Sequence, residues 1–261
     1  MNKKKKAIAV VGDFKFLRKY FSTFMTCLTD EGNYKGEVLV LTSKITPTFL
    51  IRSIHKNSKV KVLRFNNIKF KKNIKKRYLN LNTSDQPNRF KTKPFQWFKL
   101  NLFDMKMQEW DRILYLDINL TIHHDINNFL NIDPLNMFFA KADGYPDYIR
   151  TLESQFDVDQ PEIQLLRERY NIDDSRYFQT GLMYFDTSII QTDTLNQLID
   201  LAHKYPICIT NEQGILNLFF QDNNNLYNEV PEYIDNYMIY YYWKLADQDI
   251  IITKQLVEQY K

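Results

Sequence analysis

The sequence is poor in the residues that staple, anchor or cradle. It has two cysteines, Cys27 and Cys208, too few for a disulfide framework, and both sit in apolar surroundings that suit core thiols. It has six glycines. None of them builds the Gly-rich phosphate loop that a nucleotidyltransferase would carry after its first strand, where Gly12 stands alone. No apolar run approaches the roughly 18 residues of a membrane span. Lys3 to Lys6 lead into only six apolar or small residues before Asp13, which is not the pattern of a signal peptide. The expectation is therefore a soluble chain, cytoplasmic or host-cell intracellular, without a transmembrane segment. Histidine is scarce too, and none follows His203. The net charge of +4 is too small to argue for a nucleic-acid partner.

What is present suits one large α/β domain spanning residues 1–261. Hydrophobic residues make up 44% and aromatics 15%, enough for a substantial core, and the charged fraction of 25% is ordinary. Ala7 to Val11 is a short apolar run that reads as a buried strand. Apolar residues recur at helical spacing from Phe14 to Leu28. Val38 to Leu41 and Val60 to Phe65 read as further strands, with a helix starting near Pro47 between them. Strand, helix, strand, helix, strand implies a parallel sheet with right-handed crossovers. Asn66 to Asn88 is polar and basic and reads as an excursion from the sheet. Within it Lys69 to Arg77 reads first as a solvated loop, and second as an electropositive approach for anionic substrate or membrane headgroups. Phe95 to Met107 is expected to be helical, Arg112 to Leu116 a strand, and Met137 to Ala140 another. Glu162 to Tyr170, Thr194 to His203 and Glu212 to Phe220 read as helices, and Tyr177 to Asp186 as a strand. Trp97, Trp110 and Trp243 read as packing residues, and Tyr240 to Trp243 as core or as a sugar-stacking surface.

In open parallel sheets ligands bind beyond the carboxyl ends of the strands. Two strand ends are polar here: Gly12-Asp13 and Asp117-Ile118-Asn119. In extended geometry Asp117 and Asn119 project on one side. A carboxylate and a carboxamide so placed can hold a hard divalent cation through oxygen, with diphosphate completing the shell. The plainer reading is that Asp117 caps the following turn.

Five stretches change that balance. Lys99-Leu100-Asn101-Leu102-Phe103, Trp110-Asp111-Arg112-Ile113-Leu114-Tyr115-Leu116-Asp117-Ile118-Asn119 and Asp125-Ile126-Asn127-Asn128-Phe129-Leu130 together resemble the central block of glycogenin-like (family 8) glycosyltransferases. Tyr177-Phe178-Gln179-Thr180-Gly181-Leu182-Met183 resembles the family's F-N-x-G-V block. Asn211-Glu212-Gln213-Gly214-Ile215-Leu216-Asn217 resembles its D-Q-G-I-L-N block. The resemblance implies the GT-A fold, a Rossmann-like, mostly parallel nucleotide-binding sheet with helices on both faces and a mixed acceptor half. It implies transfer of a sugar from a nucleoside-diphosphate donor, UDP above all, to an acceptor hydroxyl on a glycan or protein, with retention. By position, Asp117 and Asn119 match the pair that holds Mn²⁺ or Mg²⁺ and the donor. Lys99 matches a lysine near the donor phosphates or sugar. Val11, Gly12 and Asp13 match the strand end beside the base. Gln179 matches an amide on the transferred sugar, and Glu212 and Gln213 the acid–amide pair beside the reacting carbon.

The sequence also departs from the family. Asn119 replaces a second Asp, and the closing H-x-x-G-x-K-P-W block, source of a metal-binding His and a phosphate-binding Lys, has no counterpart. His123 is a candidate replacement if the strand continues past Asn119, and Lys244 or Lys254 for the lysine. These departures favour a competing reading, a catalytically degenerate module that binds nucleotide sugar or glycan. Nothing in the sequence fixes the oligomeric state, and a dimer is compatible with it.

Overall fold

The computed structural model describes residues 5–54, 59–83, 87–143, 150–234, 237–241 and 250–253. Its first strand, β1 (Lys6–Val11), is buried nearly throughout, as a strand covered on both faces must be. Ala7, Ala9 and Val11 enter one hydrophobic cluster, Ile8 and Val10 the other. Helix α1 (Phe14–Thr26) starts at Asp13, whose carboxylate accepts the Phe16 N–H at 2.9 Å. It buries Leu17 and Phe24 and ends in a π-helical turn, Cys27–Glu31. β2 (Glu37–Ser43), α2 (Thr48–Ile54) and β3 (Val60–Phe65) continue the expected alternation, and β1, β2 and β3 pair in parallel.

The basic stretch after β3 is more than an excursion. It carries α3 (Lys72–Leu79), which buries Ile74 and Tyr78 and leaves its lysines exposed. A short helix, α4 (Arg89–Thr92), leads into two 3₁₀ segments, Pro94–Phe103 and Met105–Glu109, where an ordinary helix was expected. Every residue from Trp97 to Phe103 is buried, so this segment runs through the core rather than presenting one apolar stripe to it.

The rest of the chain supplies β4 (Arg112–Leu116), β5 (Thr121–Ile122), α5 (Asn127–Leu130), β6 (Phe138–Ala142), α6 (Glu162–Arg169), β7 (Phe178–Asp186), α7 (Thr194–Lys204) and α8 (Glu212–Asn217), followed by β8 (Tyr227–Glu229), β9 (Tyr233–Ile234), β10 (Tyr237–Tyr241) and β11 (Ile250–Thr253). The main sheet has the order β3-β2-β1-β4-β7-β6-β8. β7 runs antiparallel to both neighbours, and the other pairs are parallel. A second sheet, β5-β11-β10-β9, packs beside it. One face of the main sheet is covered by the 97–107 segment with α3, α6, α7 and α8, and the other by α1, α2, α5 and the second sheet. This is the mostly parallel α/β architecture expected, with a mixed second half. Trp97 and Trp110 are core residues as expected, whereas Trp243, Lys244 and Lys254 lie outside the described residues.

Candidate active site

β4 stops at Leu116. Asp117 to Leu120 closes as a turn, the Leu120 N–H donating to the Asp117 carbonyl at 2.9 Å and the Asp117 N–H to the Gly181 carbonyl at 2.8 Å. The expectation of an extended Asp117–Asn119 pair is therefore corrected: a turn, not strand alternation, sets the relation of these two half-buried side chains. The same turn takes His123 out of register. Its Nε2 lies 2.9 Å from Thr253 Oγ1 and its N–H donates to the Ile251 carbonyl, so it belongs to the second sheet.

The 3₁₀ segment delivers Lys99 into the core, where the residue is only 5% exposed. It sits 3.0 Å from Asp117 Oδ1 and 3.1 Å from Glu212 Oε1, and donates to the Thr180 carbonyl and hydroxyl at 3.0 and 3.2 Å. Burial works against its charge, but the two carboxylates hold its pKa above the usual lysine value. The Tyr115 hydroxyl donates to Asp117 Oδ1 at 2.6 Å, and burial, then Asp117, pushes this phenol far up. Thr180 Oγ1 donates to Glu212 Oε1 at 2.9 Å. Glu212 is 1% exposed, and its other oxygen, Oε2, is buried with no hydrogen-bond partner.

Glu212 and Gln213 open α8. The Gln213 carboxamide is fixed at both ends: Oε1 accepts the Thr180 N–H at 3.2 Å, and Nε2 donates to Gln155 Oε1 at 2.8 Å. One turn on, Asn217 bonds both the N–H and the carbonyl of Phe178 at 2.9 Å and ties α8 to β7. Just before the helix, Asn211 adopts φ 58°, which asparagine tolerates. Its buried Nδ2 is shared among the Arg89 and Lys93 carbonyls and Gln96 Oε1 at 3.2, 3.1 and 2.9 Å. Gly214 is required by close packing, because a Cβ there would lie 2.6 Å from Cys208 Sγ.

The structure thus gathers Lys99, Asp117, Glu212 and Gln213 into one connected set. Gln179 is buried on β7, and its neighbour Thr180 enters that set. Thr180, Tyr115 and Gln155 were not singled out from the sequence. Tyr115 had a signal, being two residues before Asp117 on an alternating strand. Gln155 had none. Val11 is core, and Gly12 packs so tightly that a Cβ would come within 2.8 Å of Leu17 Cγ. Asp13 lies apart from the set, capping α1 and lining a cavity of about 1000 Å³ at the ends of β1, β2 and β3. Ser43, Thr46 and Asn67 give that cavity polar walls, Phe14, Phe95 and Phe98 apolar ones. Phe98 of this lining precedes Lys99 in the chain.

No group of three His, Cys, Asp or Glu side chains comes together among the described residues. Asp117 and Asn119 offer two oxygen-bearing side chains. Such oxygens are the donor type a hard cation takes, and Asp117 Oδ1 is already engaged by Lys99 and Tyr115.

The sequence profile of glycosyl transferase family 8 matches residues 33–250. The chain belongs to glycosyl transferase family 8. No curated protein sequence matches it. Among solved structures, this family-8 chain is similar to the galactosyltransferase LgtC in complex with donor and acceptor sugar analogs. The TM-score is 0.59 at 13% identity, over 90% of this chain and 75% of LgtC. It is similar to the glycosyltransferase GlyE of Streptococcus pneumoniae TIGR4, with TM-score 0.53 and 15% identity over 88% of this chain and 46% of GlyE. The core-mannan synthase CmsA of Aspergillus fumigatus, in its Mn/GDP form, gives 0.55 at 8% identity over 87% of this chain and 73% of CmsA. At such identities the likeness shows the fold, and that fold is GT-A. By family and fold the chain is a glycosyltransferase.

Proposed function

We propose that this glycosyltransferase moves a hexose from a nucleoside-diphosphate donor, UDP-linked by preference, to a hydroxyl of a glycan or protein, with retention of anomeric configuration. The observation that carries the reading is the buried Lys99–Asp117–Glu212 cluster with one Glu212 oxygen left unpaired. When the bond from sugar to diphosphate breaks, its electron pair leaves with the diphosphate and positive charge builds on the sugar carbon. The unpaired Glu212 Oε2 is a buried negative atom able to face that charge without reorganising. Lys99 holds Glu212 and Asp117 in place; its donors are already directed at protein acceptors, so it acts through them. Gln213, locked by Thr180 and Gln155, presents a fixed amide beside the same carbon, and Gln179 reaches the sugar. Asp13, with the strand end Val11–Gly12 behind it, marks the side on which the nucleoside lies. Asp117 and Asn119 would hold Mn²⁺ or Mg²⁺, which when bound neutralises charge on the departing diphosphate.

The test is a panel of nucleoside-diphosphate sugars, with and without Mn²⁺, read by release of nucleoside diphosphate. One donor should be consumed, and the activity should disappear in Asp117→Ala and in EDTA. Glu212→Ala should lower turnover about 10²–10³-fold, the scale of a lost charge-stabilising group. Unchanged turnover in Glu212→Ala overturns its role, and indifference to EDTA overturns the metal. Asn119 in place of a second carboxylate favours one other reading, a module that binds nucleotide sugar without transfer. Tight donor binding with no turnover on any acceptor would establish it.

A further inference from the structure

Among the described residues eight large apolar side chains are exposed, and three of them gather at one edge of the sheet. Ile45 is 80% exposed, Phe49 66% and Phe16 43%. Phe16 and Ile45 line the mouth of one cavity, and Phe49 packs edge-on against Phe14 of the same wall, ring centroids 5.9 Å apart. They stand on the turns and helix starts that follow β1 and β2, at the carboxyl edge of the sheet.

The charge around them has one sign. Residues 13–20, 44–54 and 67–77 carry eleven lysines and arginines against a single acid, Asp13. Asp13 is engaged in capping α1, and Arg77 is bonded to Glu162. Lys15, Lys69 and Lys75 reach the cavity rim exposed, with no acidic partner among the described residues. Folding of α3 sets this charge in place: burying Ile74 and Tyr78 turns Lys72, Lys75 and Lys76 outward.

Aliphatic and aromatic side chains held in water beside unpaired lysines are the chemistry of an interfacial membrane surface. The apolar groups gain by leaving water for the headgroup–acyl boundary, while the lysines pair with headgroup phosphates. Nucleic acid fits less well, because the most exposed group, Ile45, has no π-face on which a base could stack.

We propose that this edge docks on a bilayer containing anionic phospholipid, with Ile45, Phe49 and Phe16 entering the interface and the surrounding lysines engaging phosphate. Docking needs no transfer reaction, although Phe16 and Ile45 line the same cavity as Asp13.

Co-sedimentation of the full chain with vesicles tests it, using phosphatidylcholine alone and phosphatidylcholine mixed with phosphatidylglycerol. The chain should pellet with the mixed vesicles only, and less so as salt rises. Phe49→Ser and the double variant Lys71→Glu/Lys72→Glu should each weaken binding, the latter by about tenfold or more, since each surface lysine counts measurably. Both should keep the parental unfolding midpoint and release of nucleoside diphosphate in solution. Equal binding to neutral vesicles, no binding, or full binding by both variants overturns the proposal. So does binding of an RNA oligonucleotide through Lys71 and Lys72 without vesicle binding, which would assign the surface to nucleic acid.

Discussion

Lys99 keeps two carboxylates together that would otherwise repel each other in a dry core. Lys99→Met should leave the buried Glu212 and the half-buried Asp117 without the ammonium they share, costing about 3–5 kcal/mol of stability. Thr180→Val removes one donor to Glu212 Oε1 and should cost about 1–3 kcal/mol. Urea unfolding of both variants reads these losses, and a Thr180→Val protein as stable as its parent would contradict the geometry. At this scale the sequence was legible where residues stand in recognisable blocks: Lys99, Asp117, Glu212 and Gln213 are drawn into one set. It was not legible for Thr180 or Gln155. A hydroxyl or an amide takes its role from what distant segments bring near it, and here Lys99 is 81 positions away from Thr180. The extended geometry expected from Asp117 to His123 fails for one reason, a turn where alternation was assumed.

At the scale of elements, α8 is positioned by fit as much as by hydrogen bonds. Gly214→Ala drives a methyl against Cys208 Sγ and, at 3.2 Å, against Gln155 Cβ, which also orients Gln213. The variant should lose about 1–3 kcal/mol, as over-packed cores do, and Cys208→Ala should restore most of it. If the double variant is no more stable than Gly214→Ala alone, the thiol is not the obstacle. The parallel strands were readable because each is a continuous apolar run between turn residues. The 97–107 segment was not, since a stretch buried on every side shows no stripe from which to judge its winding. The antiparallel direction of β7 and the two-residue strand β5 leave no trace in periodicity, because direction is decided by pairing with β4 and β6.

For the whole molecule, burial, then its neighbour His124, pulls His123 below the usual histidine value, and burial, then Lys71, does the same for His203. Both take up a proton at lower pH in the folded chain than in the unfolded one, which titrates near pH 6.5. Stability should therefore be at its plateau above that pH and decline as the pH falls below it. Unfolding midpoints followed from pH 8 down to roughly 5 should show this decline, shallower in His123→Asn; an identical profile would exclude His123 as a source. The order of the main sheet has a consequence for synthesis. β4 takes β1 on one side, but its other partner, β7, begins about sixty residues later in the chain. At roughly 5–20 residues per second, a nascent chain leaves the ribosome with the apolar edge Arg112–Leu116 bare for several seconds. That interval is when a chaperone holding the edge would raise the yield of folded protein, and when crowding of nascent chains would lower it.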